Sequence, residues 1–230
     1  MSLRWQVWQL RLDIGNDRFH YLGMNDAPTA DAEPLRRAKG RPRSFDKMAA
    51  LDRAIPVFRE RGLDGASIDL LKSATGLTAG SLYKGFRDKR HLFAAAFARY
   101  VDTRQMRLTE RLSGPVTARE RIAETLRFYL ESASGEEGRR GCLVLAGLIE
   151  ATTLDETSRS ALEAALDRNR AALLAMLRDG QRDGSVGSDL ALEPAADLLL
   201  SLLQGLRAVG KLRDPAEREP LIDLALKILD

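Results

Sequence analysis

Between Thr78 and Lys84 the chain places Thr78, Ala79, Gly80, Ser81, Tyr83 and Lys84 on what helical spacing makes one side of a short helix, with Leu82 and Phe86 on the other. Hydroxyl, phenol and ammonium groups beside very small residues suit contact with a hydrogen-bonding polyanion. The small residues let backbone approach closely, and the polar groups reach base edges and phosphates. Gly80 and Gly85 each cost roughly 1 kcal/mol against Ala inside a helix, so local stability alone explains them poorly. Reactive groups for catalysis are scarce: one Cys and two His in 230 residues. No phosphate-binding glycine loop, dinucleotide fingerprint or zinc spacing is present, so the sequence implies no enzyme, no cofactor and no metal.

The elements that would hold this face are legible on either side of it. Ser67 is a helix N-cap, Asp69 sits in the first turn, and Ile68, Leu71 and Ala74 recur at helical spacing up to Gly76, a C-terminal cap. Leu77 fills the corner and Thr78 caps the next helix. Two helices joined by a glycine turn have the layout of a DNA-reading helix-turn-helix. The competing reading is a helical hairpin of an ordinary bundle, with Gly85 as its terminal cap. Charge favours the first. From Arg36 to Arg104 there are 16 Lys and Arg against 7 Asp and Glu, an excess of +9 in a chain whose total is +3, so the remainder is acidic. Concentrated positive charge is the footprint of a polyanion-binding module.

From about Arg41 to Tyr100 the chain resembles the DNA-binding domain of the TetR family of bacterial transcriptional regulators. The matching elements are a first helix over Ala49 to Gly62 with Phe58, then Ser67, and then Gly76, Leu77, Thr78, Gly80, Leu82, Tyr83, Phe86, Lys89 and Leu92 in the family's order. The resemblance implies Thr78, Ala79, Gly80, Ser81 and Lys84 at the major groove, with Ser67, Tyr83 and Lys89 on phosphates. Lys89 would open a fourth helix. Three positions depart from the pattern: Lys72 replaces a small residue, Gly85 a residue that can touch the backbone, and Arg90 a common glutamate.

Ahead of this domain Arg36, Arg37, Lys39, Arg41 and Arg43 surround Gly40 and Pro42, which predicts an extended basic arm able to follow a minor groove. Arg41 and Arg43 are its candidate DNA contacts. Residues 1–23 read instead as a hairpin with no function assigned, lacking the apolar core of a secretory signal. Met24, which precedes a polar, alanine-rich stretch, is an expected alternative start.

From Asp102 onward the pattern predicts six further helices. Thr117 with Glu120 forms a capping box before Ile122, Leu126, Tyr129 and Leu130. Cys142 to Ile149 is apolar on every face and predicts a buried helix walling a ligand pocket. Phe128, Tyr129, Cys142, Ala146, Ile149 and Met176 are the candidate pocket residues. Cys142 follows Arg139 and Arg140, which raises a redox role, although a lone cysteine on an apolar helix more often packs. The last two helices, about Glu193 to Leu212 and Pro220 to Leu229, carry Leu198, Leu199, Leu202, Leu203, Leu206, Ile222, Leu226 and Leu229. That is more apolar face than an end hairpin hides. The family resemblance implies that these helices pair with their copies in a second subunit.

With 44% hydrophobic and 30% charged residues the chain has globular composition, and no uninterrupted apolar run reaches membrane-spanning length. The expected fold is all-α: an extension over 1–38, a three-helix helix-turn-helix domain over 39–93, and a larger helical ligand-binding and dimerisation domain over 94–230. The expected function is that of a cytoplasmic homodimeric repressor, released from a palindromic double-stranded operator by a small-molecule effector. Two alternatives stand beside it: an activator or constitutive DNA-binding protein without a ligand, and a helical protein that binds no DNA.

Overall fold

Asp46 accepts hydrogen bonds from the Met48 and Ala49 amides, both at 3.0 Å, and so opens the first helix of the computed structural model, which describes residues 46–214 and 217–230. The basic arm with Arg41 and Arg43, the hairpin expected over 1–23 and the Met24 start lie outside the described residues. Among the described residues the regular elements are all helical: α1 (Lys47–Gly65), α2 (Ile68–Thr75), α3 (Ala79–Phe86), α4 (Lys89–Arg111), α5 (Ala118–Ser132), α6 (Gly135–Arg139), α7 (Leu143–Ile149), α8 (Glu156–Asp183), α9 (Leu192–Val209) and α10 (Arg218–Leu226), ending in a 3₁₀ turn over Lys227–Leu229.

The caps expected from sequence form. Ser67 Oγ accepts from the Leu70 amide and Thr78 Oγ1 from the Ser81 amide, each at 3.2 Å, while Gly76 closes α2 at φ 70°. Thr117 and Glu120 make the reciprocal capping box of α5, and Asp155 caps α8.

Two junctions have unusual backbone. The chain leaves α3 at Arg87, so the Gly85 cap of the competing hairpin reading does not form. Arg87 has φ 67° and ψ −56°, and the Asp88 amide donates to the Phe86 carbonyl at 2.7 Å across it. This is a tight γ-turn, strained for a residue with a Cβ. Arg87→Gly is therefore expected to raise the thermal midpoint by a few degrees, about 1 kcal/mol of relieved strain net of glycine's added unfolded-state entropy. A lowered midpoint in calorimetry would contradict this.

The second is inside α1, which breaks at Gly62 (φ 70°, ψ −174°), where the sequence reading ends the first helix, in a backbone region open essentially to glycine alone. The Glu150 carboxylate, from the end of α7, fills the break by accepting from the Leu63 and Asp64 amides at 2.7 and 3.2 Å.

Two cores result. One joins Phe58, Leu71, Leu82, Leu92, Phe93 and Phe97 to Leu143, Val144 and Leu162, with the Phe58 and Phe93 rings edge-on at 5.2 Å. The helix-turn-helix thus rests on α7 and the start of α8. The other gathers Ile122, Leu126, Leu177, Leu199, Leu203, Ile222 and Leu229. Leu199, Leu203, Ile222 and Leu229 are at most 2% exposed, so these four expected interface residues serve the chain's own core. The outward apolar side chains of α9 and α10 are Leu198, Val209 and Leu224, at 53%, 60% and 65% exposure, while Leu202, Leu206 and Leu226 are half-buried.

Candidate nucleic-acid interface

Leu82 and Phe86 anchor α3 in the first core, which turns the opposite side of the helix to solvent. Thr78, Gly80, Tyr83 and Lys84 are exposed there, and Ala79 and Ser81 are half-exposed. A Cβ on Gly80 would meet nothing closer than Thr78 Oγ1 at 4.0 Å, so the open face there belongs to no internal contact. Thr78 Oγ1 and Ser81 Oγ lie 3.0 Å apart. Beside this face, exposed Ser67 keeps its hydroxyl proton free of its capping bond, and Lys89 Nζ donates to the Asp64 carbonyl at 3.4 Å. The side of α3 that sequence singled out is therefore one continuous surface of hydroxyl, phenol and ammonium groups, with Ser67 and Lys89 at its margin. Lys72, the odd residue between the helices, keeps its ammonium on the surface in a 2.8 Å ion pair with Asp69.

Asp88 caps α4 by accepting from the His91 amide at 2.9 Å and lies 2.8 Å from His91 Nδ1. The His91 backbone amide, then its ring, hold the Asp88 carboxyl below its ordinary value of 3.8. A folded pKa below the unfolded one means that this cap stabilises fully above about pH 4 and weakens as pH falls through the folded value. Asp88→Ala should lower the thermal midpoint at neutral pH, and its gap to wild type should shrink on acidification; a gap constant with pH would contradict the assignment.

The other end of α4 reaches a buried cationic cluster that sequence reasoning missed. Arg104 packs its guanidinium against the rings of Phe128, Tyr129 and Tyr100 at 4.8, 5.3 and 5.7 Å from their centroids. Arg207, 1% exposed, donates to the Gly141 carbonyl at 2.9 Å. The same carbonyl accepts from Arg59 Nε and Nη2 at 2.9 and 2.7 Å. Tyr100 donates to Cys142 Sγ at 3.6 Å. Burial, the largest influence, pushes the Cys142 thiol up; Arg207 and Arg104 outweigh it, and the thiol lies below its ordinary value. The neighbouring Arg139 and Arg140 are not the cause. Burial pushes Tyr100 up to about 12.

Phe128, Tyr129 and Cys142 line a small cavity beside this cluster, together with Tyr100, Arg104 and Gln204. The remaining pocket candidates lie elsewhere. Ala146 packs on the first core, Met176 is buried in the second, and Ile149 is 76% exposed because α7 emerges from the bundle at its last turn. Among the described residues no cluster of His, Cys, Asp and Glu could hold a metal, and no helix is long and apolar enough to cross a membrane.

Residues 50–96, from α1 into α4, match the family model of bacterial regulatory proteins of the tetR family, and residues 118–222 match that of the tetracyclin repressor-like C-terminal domain. A solved complex of a cysteine mutant of the TetR family transcriptional regulator CifR with 26-base-pair double-strand operator DNA is 34% identical. Its match covers 82% of this chain and 98% of that one, with a TM-score of 0.70. The chain belongs to the TetR family.

Curated relatives agree. The uncharacterized HTH-type transcriptional regulator YezE of Bacillus subtilis is 28% identical over 83% of this chain and the whole of its own length. The HTH-type transcriptional repressor ComR of Escherichia coli is 39% identical over 74 residues, 32% of this chain and 35% of its own length. This TetR-family chain is accordingly a DNA-binding transcriptional regulator and not an enzyme, all-helical with an N-terminal helix-turn-helix and a C-terminal helical domain.

Proposed function

We propose that this regulator is a homodimeric repressor released from a roughly palindromic operator by a small-molecule ligand. The helix-turn-helix domain of residues 39–93 reads DNA and the body of residues 94–230 receives the ligand. Thr78, Ala79, Gly80, Ser81 and Lys84 enter the major groove, with Ser67, Tyr83 and Lys89 on phosphates and Arg41 and Arg43 in the flanking minor groove. The outward Leu198, Val209 and Leu224, with half-buried Leu202, Leu206 and Leu226, meet their copies in the second subunit. CifR bound to operator DNA and the repressor ComR support the reading by kinship.

The observation that carries it is the span of α4. Lys89 at its first turn borders the α3 face, and Tyr100 and Arg104 farther along line the body's cavity. A ligand that prefers one tilt of α4 changes the separation of two heads that must reach successive major grooves about 34 Å apart. The test is a gel shift on duplexes selected from a random pool, repeated at rising salt. Binding should weaken steeply with salt and enrich a two-fold site. Failure to enrich any duplex would overturn the DNA reading, and a metabolite panel without effect on affinity would overturn the ligand reading.

A further inference from the structure

Arg207 is buried and Arg104 half-buried, with Arg104 Nη2 itself enclosed. Among the described residues neither has a carboxylate within ion-pair distance, whereas buried Arg59 has Glu137 at 2.8 Å. Their hydrogen bonds are also incomplete: Arg104 Nη2, Arg207 Nε and Arg207 Nη1 are buried donors with no partner, as is the Gln204 Oε1 acceptor one turn before Arg207. Arg104 donates to Ser132 Oγ at 3.2 Å and lies beside the Tyr129 hydroxyl, and Arg207 donates to a carbonyl. The facing tyrosines do not supply the charge, because burial raises the pKa of both Tyr100 and Tyr129 and keeps them neutral; the facing acid that both arginines favour in its charged form is the Cys142 thiol. A bridging water would satisfy an N–H, but it brings no charge to offset two guanidiniums that share at most one thiolate.

The space beside these groups has two parts. The inner cavity, walled by Tyr100, Arg104, Tyr129 and Gln204, holds about 30 Å3, enough for one small polar group. The outer cleft holds about 570 Å3 and shares Arg104 and Phe128 with the inner one; Arg107 and Arg111 stand on its wall. That volume falls within the usual range for small-molecule sites. Glu110, Glu131, Ser132 and Glu137 complete that wall, so the cleft carries both signs of charge, with Phe128 as its apolar surface. An acidic head at Arg104 followed by a body stacked on Phe128 matches this division.

We propose that the effector is an organic carboxylate whose head group is held by Arg104 in the inner cavity and whose body lies along Phe128 in the outer cleft. This names the ligand class for the release mechanism above and rests on that reading. The route to DNA is short. Gly141, the neighbour of cavity-lining Cys142, accepts from Arg59 of α1, so a head group that displaces Cys142 also disturbs a bond that ties the body to the helix-turn-helix. Arg104 stands on α4 itself.

The test uses the full chain and a duplex selected from a random pool, with affinity measured by anisotropy with and without millimolar benzoate or octanoate, and with benzamide or octanamide as neutral counterparts. Each variant is scored as its own ratio of affinities, so a general loss of stability does not imitate the result. At least one carboxylate should weaken the wild-type complex by about tenfold, an ordinary allosteric coupling, and its amide should not. Arg104→Gln should bring the ratio back to one, and Arg104→Lys should retain part of it. Equal effects of acid and amide, no effect of either carboxylate, or a full response in Arg104→Gln would each overturn the proposal. Release by a neutral compound alone would leave ligand control standing and remove the anion, whereas absence of duplex binding would remove the DNA reading beneath both.

Discussion

Tyr83→Ala combined with Lys84→Ala is expected to weaken binding to a selected duplex about a hundredfold, since each polar contact to base or phosphate carries roughly 1–3 kcal/mol. Helix content should not change, because both side chains project from α3 away from Leu82 and Phe86, which hold it to the core. Loss of the Lys84 charge should also flatten the salt dependence by about one counterion. Anisotropy titrations at several salt concentrations measure both effects. Wild-type affinity in the double variant would show that the exposed face of α3 is not the reading surface. Loss of helix by circular dichroism would show that the residues act through the fold.

Gly62→Ala is expected to cost about 2–4 kcal/mol, a fall of roughly 10 °C in thermal midpoint for a chain of this length. Two effects combine there. The backbone conformation is one that side chains with a Cβ rarely adopt, and the added Cβ would stand 2.3 Å from Glu150 Oε1. The carboxylate can swing aside, but only by giving up the Leu63 and Asp64 amides that it caps. Glu150→Gln should cost less, since an amide oxygen can still accept one of these bonds. Since Glu150 joins the end of α7 to the α1 break beside α2, both variants should also weaken duplex binding under conditions where the protein remains folded. Calorimetry with anisotropy on the same samples measures both; a Gly62→Ala midpoint within a degree of wild type would contradict the strain assignment.

The helix-turn-helix was legible because its information is local. Ser67, Gly76 and Thr78 cap through bonds three or four residues away, and the stripe of Leu82 and Phe86 fixes which side of α3 faces out. The cationic cluster was harder to read, since Arg59, Arg104 and Arg207 meet at Gly141 and Cys142 only after four helices pack. One signal was present: Leu199, Leu203 and Arg207 are spaced four apart, as are Phe93 and Phe97 ahead of Tyr100 and Arg104, so each arginine continues a buried stripe. An arginine at a core position must find an acceptor, and that rule would have pointed to the site. The assignment of Leu199, Leu203, Ile222 and Leu229 to a subunit interface failed for a related reason. Apolar pattern shows that a face is covered without showing by what, and α5 and α8 already cover this one. Arg87 could not be anticipated, because its γ-turn is imposed by the close join of α3 to α4 rather than by residue type.

Regulation by this chain requires α3 to lie in a groove of duplex DNA, and site-specific photocrosslinking tests this most directly. With a benzoylphenylalanine in place of Tyr83, irradiation of the complex should attach the protein to bases of the selected duplex, and the same probe in place of Leu224 on α10 should attach to none. Crosslinks from position 224, or none from position 83 in a complex shown to be bound, would contradict it.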